Sequence, residues 1–219
     1  MKPRRRIAAV LVLLTAVLVP ATAHGATVDR QINFQPAAAP LAPGFTADIG
    51  GPYSDTAGQG WVREDSLDSA THVPLDVTLN TRDRNIVNSQ ALDTFIHMQY
   101  PTSGPGPATK VPAAWELQVP NGDYDVTLSV GDASDNFDSS NRIRVEGQVA
   151  IDSFVPTASN HFKLASARVT VNDGRLTVDA VGGTNTKLDY VIVRASGPTR
   201  RRRRRRPTSA PTPATARSR

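Results

Sequence analysis

The chain has 219 residues, a formal net charge of +5 and no cysteine. That length allows a domain with a sizeable core, and the missing cysteines exclude disulfides, thiol nucleophiles and thiolate metal sites. The charge belongs to the ends: removing Lys2, Arg4, Arg5 and Arg6 leaves +1, and removing the nine arginines at 200–206, 217 and 219 leaves −8, so net charge gives no ground for a nucleic-acid partner of the middle.

Residues 1–23 read as a secretory signal peptide. A basic start is followed by an apolar run over 7–19, broken only by Thr15, then by Pro20 and the small residues Ala21, Thr22 and Ala23. The run has the length of a signal-peptide core and is short for a bilayer span. Cleavage is expected after Ala23, with positions up to 26 as alternatives, and no transmembrane span is expected in the mature chain. The protein is therefore expected to be secreted or associated with the cell envelope.

Residues 27–198 form the expected domain. The segment 37–60 is rich in Pro, Gly and Ala and reads as long loops. Further on, the periodicity is two. Trp115, Leu117 and Val119 alternate with Glu116 and Gln118, and Tyr124, Val126, Leu128 and Val130 alternate with Asp125, Thr127 and Ser129. Ile143 and Val145, Val169 and Val171, and Leu176 and Val178 alternate in the same way. Such alternation marks strands with one buried face. Residues 188–193 are nearly all apolar and read as a central strand covered on both sides. Pro120-Asn121-Gly122, Glu146-Gly147 and Asn172-Asp173-Gly174 supply turn signals where hairpins would need them. No stretch has helical spacing. The fold class is all-β, an antiparallel jelly-roll β-sandwich.

Residues 199–219 are expected to be a disordered polybasic tail. Seven consecutive arginines are followed by a segment of Pro, Thr, Ser, Ala and Arg alone, with nothing apolar to bury. Two readings stand for the arginine run. It is a polycation that touches anionic envelope polymers, at about 1 kcal/mol per arginine, or it is a Pro/Thr linker read in a shifted frame.

Several motifs carry a family resemblance. Ile32-Asn33-Phe34-Gln35-Pro36, Gly44-Phe45-Thr46-Ala47-Asp48, Tyr53 and Gly60-Trp61-Val62 come first. Asp93-Thr94-Phe95-Ile96-His97 follows, and the densest part is residues 115–147. Together they resemble a malectin-like domain of exported bacterial proteins. The resemblance implies a galactose-binding-like jelly roll that binds carbohydrate without cleaving it. It places Tyr53 and Phe137 at loop aromatic positions that stack on sugar. It also implies that Asn185 contacts ligand, and that an acid near the last strand, here Asp189, helps to hold a structural calcium.

The residues themselves add further candidates. Sugar rings stack on exposed aromatics and take hydrogen bonds from fixed polar groups. Trp61 either stacks on ligand or plugs the sandwich, and Phe137 either pins its loop or forms a platform. Arg82, His97 and Asp132 are candidates for hydrogen bonds, and Arg82-Asp83-Arg84 is equally a surface charge cluster. Asp132, Asp135 and Asp138 are hard oxygen ligands close together in sequence, but they lack a calcium-loop pattern. The expected ligand site is thus Tyr53, Trp61, Arg82, His97, Asp132, Phe137 and Asn185, with Asp135, Asp138 and Asp189 as metal candidates. No cofactor is expected to be required, although structural Ca2+ is compatible with the acids.

Enzyme readings fare worse. His72, His97 and His161 show no metal-ligand spacing, and the serine in Gly131-Asp132-Ala133-Ser134 is displaced from an esterase-like Gly-Asp-Ser. The expected function is a non-enzymatic, monomeric carbohydrate-binding module for polysaccharide or cell-wall glycan, with no nucleic-acid partner. The alternatives are a surface adhesion or assembly module that binds protein, and an orphaned binding domain of a truncated larger enzyme.

Overall fold

Twelve strands make up almost all the regular structure of the computed structural model, which describes residues 28–197. The expected signal peptide and polybasic tail lie outside the described residues. The strands are β1 (Asp29–Phe34), β2 (Thr46–Asp48), β3 (Gln59–Arg63), β4 (Thr81–Asp83), β5 (Thr94–His97) and β6 (Ala113–Gln118). They continue as β7 (Gly122–Gly131), β8 (Asn141–Val145), β9 (Gln148–Phe154), β10 (Phe162–Val171), β11 (Arg175–Asp179) and β12 (Lys187–Ala195). One turn of helix, α1 (Gln90–Asp93), precedes β5.

The strands form two sheets. A seven-stranded sheet has the order β10-β7-β12-β1-β2, with β5 also on β12 and β4 on β5. A five-stranded sheet has the order β3-β6-β11-β8-β9. All pairings are antiparallel except β1 with β2. This is the expected β-sandwich. Val126, Leu128 and Val130 of β7 and Ile143 and Val145 of β8 point into one core, while Asp125 and Arg144 stay partly in solvent. Alternation alone positions these residues, because successive side chains of a strand point to opposite faces.

The turn signals mislead in part. Glu146 and Gly147, both at positive φ, close the β8–β9 hairpin as expected. The other two turns join strands of different sheets: β6 to β7, and β10 to β11. They are arches across the end of the sandwich. They lie side by side, and the Asn121 amide donates to the Asn172 carbonyl at 2.7 Å. Turn residues reverse the chain, but they do not select the sheet that receives it.

The outer face of β12 is also less covered than its sequence suggests. Leu188, Val191 and Val193 are fully buried, whereas Tyr190 and Ile192 are half-buried, with the Tyr190 ring edge-on to Phe45 at 5.4 Å.

Trp61 and Trp115 stand opposite one another on β3 and β6, each packed edge-on to Phe34 at 5.5 Å. Both indoles donate to the Asp48 carboxylate, at 3.0 and 2.9 Å. Trp61 has no exposed surface. It plugs the sandwich, and its ring is not available to stack on a ligand, which corrects that expectation. A buried indole needs a partner for its N–H, and Asp48 supplies one for both rings.

Candidate functional site

The outer face of the seven-stranded sheet carries a polar cluster built by strand register. On one side of β12, β1 and β5 lie end to end: β1 pairs with its residues 190–194, and β5 with Lys187 and Leu188. His97 therefore stands opposite Lys187, and on the next strand Arg82 stands opposite Phe95. Residues directly opposite in an antiparallel pair share a face, so all four side chains project outward together. Asn185 and the loop at 132–138 close the other side.

Phe95 is the floor of this site. It is fully buried, with the Arg84 guanidinium 5.0 Å and the Lys187 ammonium 5.6 Å from its ring centre. Above it, Phe95, His97 and Tyr100 form an edge-to-face row at 5.1 and 4.9 Å. The Tyr100 hydroxyl donates to the Pro105 carbonyl at 3.1 Å. Gly104 permits this, because a Cβ there would lie 2.4 Å from the Tyr100 ring.

Four charged groups lock together at the centre. Arg84 holds Asp132 through two hydrogen bonds, at 2.8 and 2.7 Å. Lys187, with 1% of its side chain exposed, donates to Asp132 at 2.8 Å and to Asp138 at 2.6 Å. Burial pushes the Asp132 carboxyl up, but the hydrogen bonds from Arg84 and Lys187 outweigh it and hold the group at about 2. Asp132 is fully buried and acts on the site through Arg84 and Lys187.

What remains for a ligand is a cleft of about 380 Å³ bordered by Arg82, His97, Tyr100, Asn136, Asp138 and Asn185. Burial pushes His97 down to about 3, with the Asn185 hydrogen bond acting against the shift. The ring is therefore neutral around pH 7. Its Nδ1 meets the Asn185 Oδ1 at 2.7 Å, and an amide oxygen only accepts. Nδ1 thus carries the proton, and Nε2 is an acceptor beside the cleft. Arg82 uses Nη1 to bond the Leu79 and Thr81 carbonyls, and its guanidinium lies 5.3 Å from the Tyr100 ring centre. Its Nε and Nη2 have no partner among the described residues.

Arg82, His97, Asp132 and Asn185 thus come together. Phe137 does not enter the cleft; its half-exposed ring rests on His161 at 5.5 Å. Tyr53 lies on the opposite sheet. Arg84, Tyr100, Asn136 and Lys187 complete the cluster and were not among the expected site residues. Lys187 had a visible signal, a lone lysine opening an apolar strand.

The three acids expected to suit calcium are held apart. Asp138 bonds Lys187, and Asp135 is exposed, 3.9 Å from His161. Asp189 is a fully buried residue at a register shift of β12, where its Oδ2 accepts from Ser129 at 2.6 Å and its Oδ1 has no partner. Burial, and the nearby Asp132 charge, raise its carboxyl well above the ordinary range. Asp138, bonded to Lys187, and Asp189, buried against Ser129, do not share a position from which to hold one cation, and no group of three potential ligands occurs among the described residues.

No protein-family model matches the sequence, and neither does any curated protein. Among solved structures, the chain is similar to a Bacillus subtilis protein at 16% identity and a TM-score of 0.47, over 78% of this chain and 40% of that one. It is similar to a Bacteroides uniformis beta-glucuronidase at 13% identity and a TM-score of 0.45, over 78% and 18%. A family 35 carbohydrate binding module from Clostridium thermocellum matches at 17% identity and a TM-score of 0.28, over 53% and 89%. The chain thus spans less than half the length of the first two.

Proposed function

We propose that this is an exported, malectin-like carbohydrate-binding module that holds polysaccharide or cell-wall glycan in the Arg82–His97–Asn185 cleft and does not cleave it. The observation that carries this reading is the pairing of an unused guanidinium edge on Arg82 with an unprotonated Nε2 on His97, both bordering one cleft. One offers donors and the other an acceptor, and each is fixed by its own hydrogen bonds. Sugar hydroxyls, which both donate and accept, suit such a pair. Because the groups are already ordered, little side-chain entropy is lost when a ligand arrives.

The acids favour binding over hydrolysis. A glycosidase needs a carboxyl whose raised pKa lets it protonate the leaving group. Asp132 is held at about 2 by two cations, and Asp138 is tied to Lys187. Export is supported by the apolar run at 7–19 and the small residues that follow it.

A glycan array probed with the purified protein tests the reading. Binding to at least one polysaccharide class is expected, without release of reducing sugar on prolonged incubation. An array without hits contradicts the binding, and steady release of reducing ends contradicts the non-enzymatic role.

A further inference from the structure

The cleft on the seven-stranded sheet contains an arginine edge of the kind that binds carboxylates elsewhere in this chain. On Arg63, Arg84 and Arg168, Nε and Nη2 together hold one aspartate by two hydrogen bonds: Asp65, Asp132 and Asp125 respectively. The planar guanidinium presents this edge as a fork that matches the two oxygens of a carboxylate. On Arg82 the same edge has no partner among the described residues. Its Nη1 is tied to the Leu79 and Thr81 carbonyls at 2.9 and 2.7 Å, and the guanidinium lies over the Tyr100 ring at 5.3 Å. The fork is thus fixed in place and unpaired.

Local charge points the same way. The domain carries −8 overall, yet cations are in excess at the cleft, where Arg82, Arg84 and Lys187 meet Asp132 and Asp138. Neighbouring acids do not cancel that excess. Asp83 lies on the opposite face of β4 from Arg82, near Asp93, and the exposed Asp135 stands near His161. Repulsion from the rest of the domain is screened beyond about 8 Å at physiological ionic strength, so the local surplus decides what the cleft attracts.

Ring stacking supplies little affinity here. Phe95 has no exposed surface, Tyr100 is 9% exposed with Arg82 over its ring, and Phe137 rests on His161 outside the cleft. A neutral sugar would gain hydrogen bonds alone, whereas a carboxylate gains two charge-assisted ones. His97 limits the charge of the ligand. Its neutral ring offers Nε2 as an acceptor, which suits a hydroxyl and repels a second anionic oxygen. A doubly charged phosphate would also exceed the single surplus charge and meet the Asp138 carboxylate at the cleft wall.

We propose that the cleft selects acidic glycan: a uronate residue sets its carboxylate on the Nε–Nη2 edge of Arg82 and a ring hydroxyl on Nε2 of His97. The proposal rests on the carbohydrate-binding reading of this cleft and adds the class of sugar. Affinity then comes chiefly from one fixed ion pair, with the hydroxyl contact setting the orientation of the ring.

The test is isothermal titration at pH 7 with trisaccharides of galacturonate, glucuronate and mannuronate, each beside its carboxyl-reduced counterpart, and with a 6-sulfated galactotriose. At least one uronate should bind about tenfold or more tightly than its reduced form, as expected for charge-assisted hydrogen bonds. Arg82→Lys keeps the charge but loses the fork, so it should weaken that uronate about fivefold or more. Reduced forms that bind wild type as tightly as the uronates overturn the acidic ligand and leave carbohydrate binding standing. The sulfated sugar binding more tightly than every uronate assigns the edge to sulfate and overturns the carboxylate. Uronate affinity unchanged in Arg82→Lys overturns the role of the fork. Binding by no member of the panel overturns the proposal together with the carbohydrate reading of the cleft.

Discussion

The His97 imidazole and the Asn185 amide, 88 residues apart in sequence, meet at 2.7 Å and hold one another in place. Asn185 takes a left-handed backbone conformation, φ 52°, to make the contact, one that asparagine tolerates better than most residues. The pair fixes the tautomer of the histidine, and with it the acceptor that the cleft offers.

Stability should therefore fall on the acid side. His97 titrates at about 3 in the folded chain, against about 6.5 unfolded. Between those values the unfolded state binds the extra proton, so unfolding becomes easier as pH falls, by up to about 1.4 kcal/mol per pH unit. Asp132 acts in the same direction only below its ordinary value of 3.8. Denaturant melts from pH 6.5 to 4.5 should show a shallower decline for His97→Gln than for wild type. Equal slopes would mean that His97 takes up its proton without unfolding.

Lys187→Met should cost about 3 kcal/mol in urea unfolding. It leaves the buried Asp132 carboxylate with Arg84 as its one cationic partner, beside two hydrogen bonds from Ser134, and breaking a buried ion network is expensive. Adding Asp132→Asn to that variant should recover part of the loss, because the stranded charge is then gone. A single-variant loss below about 1 kcal/mol would show that Arg84 and Ser134 satisfy Asp132 without the lysine.

Asp48→Ala should be among the more damaging single changes in the domain. It strands two buried indole N–H groups, each worth about 1–3 kcal/mol when unpaired, so a loss of roughly 3 kcal/mol or more is expected by calorimetry. Trp61→Ala should cost a similar 3–5 kcal/mol as a core cavity. If Trp61→Ala instead weakened glycan binding and left the melting temperature alone, the ring would not be a core plug.

Asp189 should behave as a neutral acid. Burial raises its carboxyl well above the 3.8 of the unfolded chain, so its contribution to stability falls as pH rises above 3.8. Asp189→Asn should be as stable as wild type or more stable at pH 7. Asp189→Ala, which leaves the Ser129 hydroxyl without an acceptor, should lose about 1–3 kcal/mol. Marked destabilisation by Asp189→Asn alone would indicate an ionised carboxylate.

The strands were legible because side-chain direction has period two, which needs only neighbouring residues. Tyr124 and Val126 declare their buried face without knowledge of what pairs with them. Pairing was not legible. Asn121-Gly122 and Asp173-Gly174 have the chemistry of hairpin turns, yet serve as arches, since the choice of sheet depends on the whole core. The cleft was half legible for the same reason. Arg82, His97 and Asn185 could be named as polar groups on strands or loops. That Lys187 would stand opposite His97, and Arg82 opposite Phe95, follows from registers that no local pattern states. Aromatic residues were the least informative: Trp61 and Tyr53 both follow glycine-rich segments, yet one entered the core and the other packs with Val62 and Ala114 on the outer face of the five-stranded sheet.

The most direct test of the cleft is isothermal titration of the best array ligand into wild type and Arg82→Ala. Arg82 has no carboxylate partner among the described residues but bonds two backbone carbonyls at a half-buried position, so its loss should cost about 1 kcal/mol and lower the melting temperature by about 2–4 °C. Affinity should drop about tenfold or more, as expected for charge-assisted hydrogen bonds of about 1.5–3 kcal/mol. An affinity equal to wild type, with the fold intact, would contradict glycan binding in this cleft.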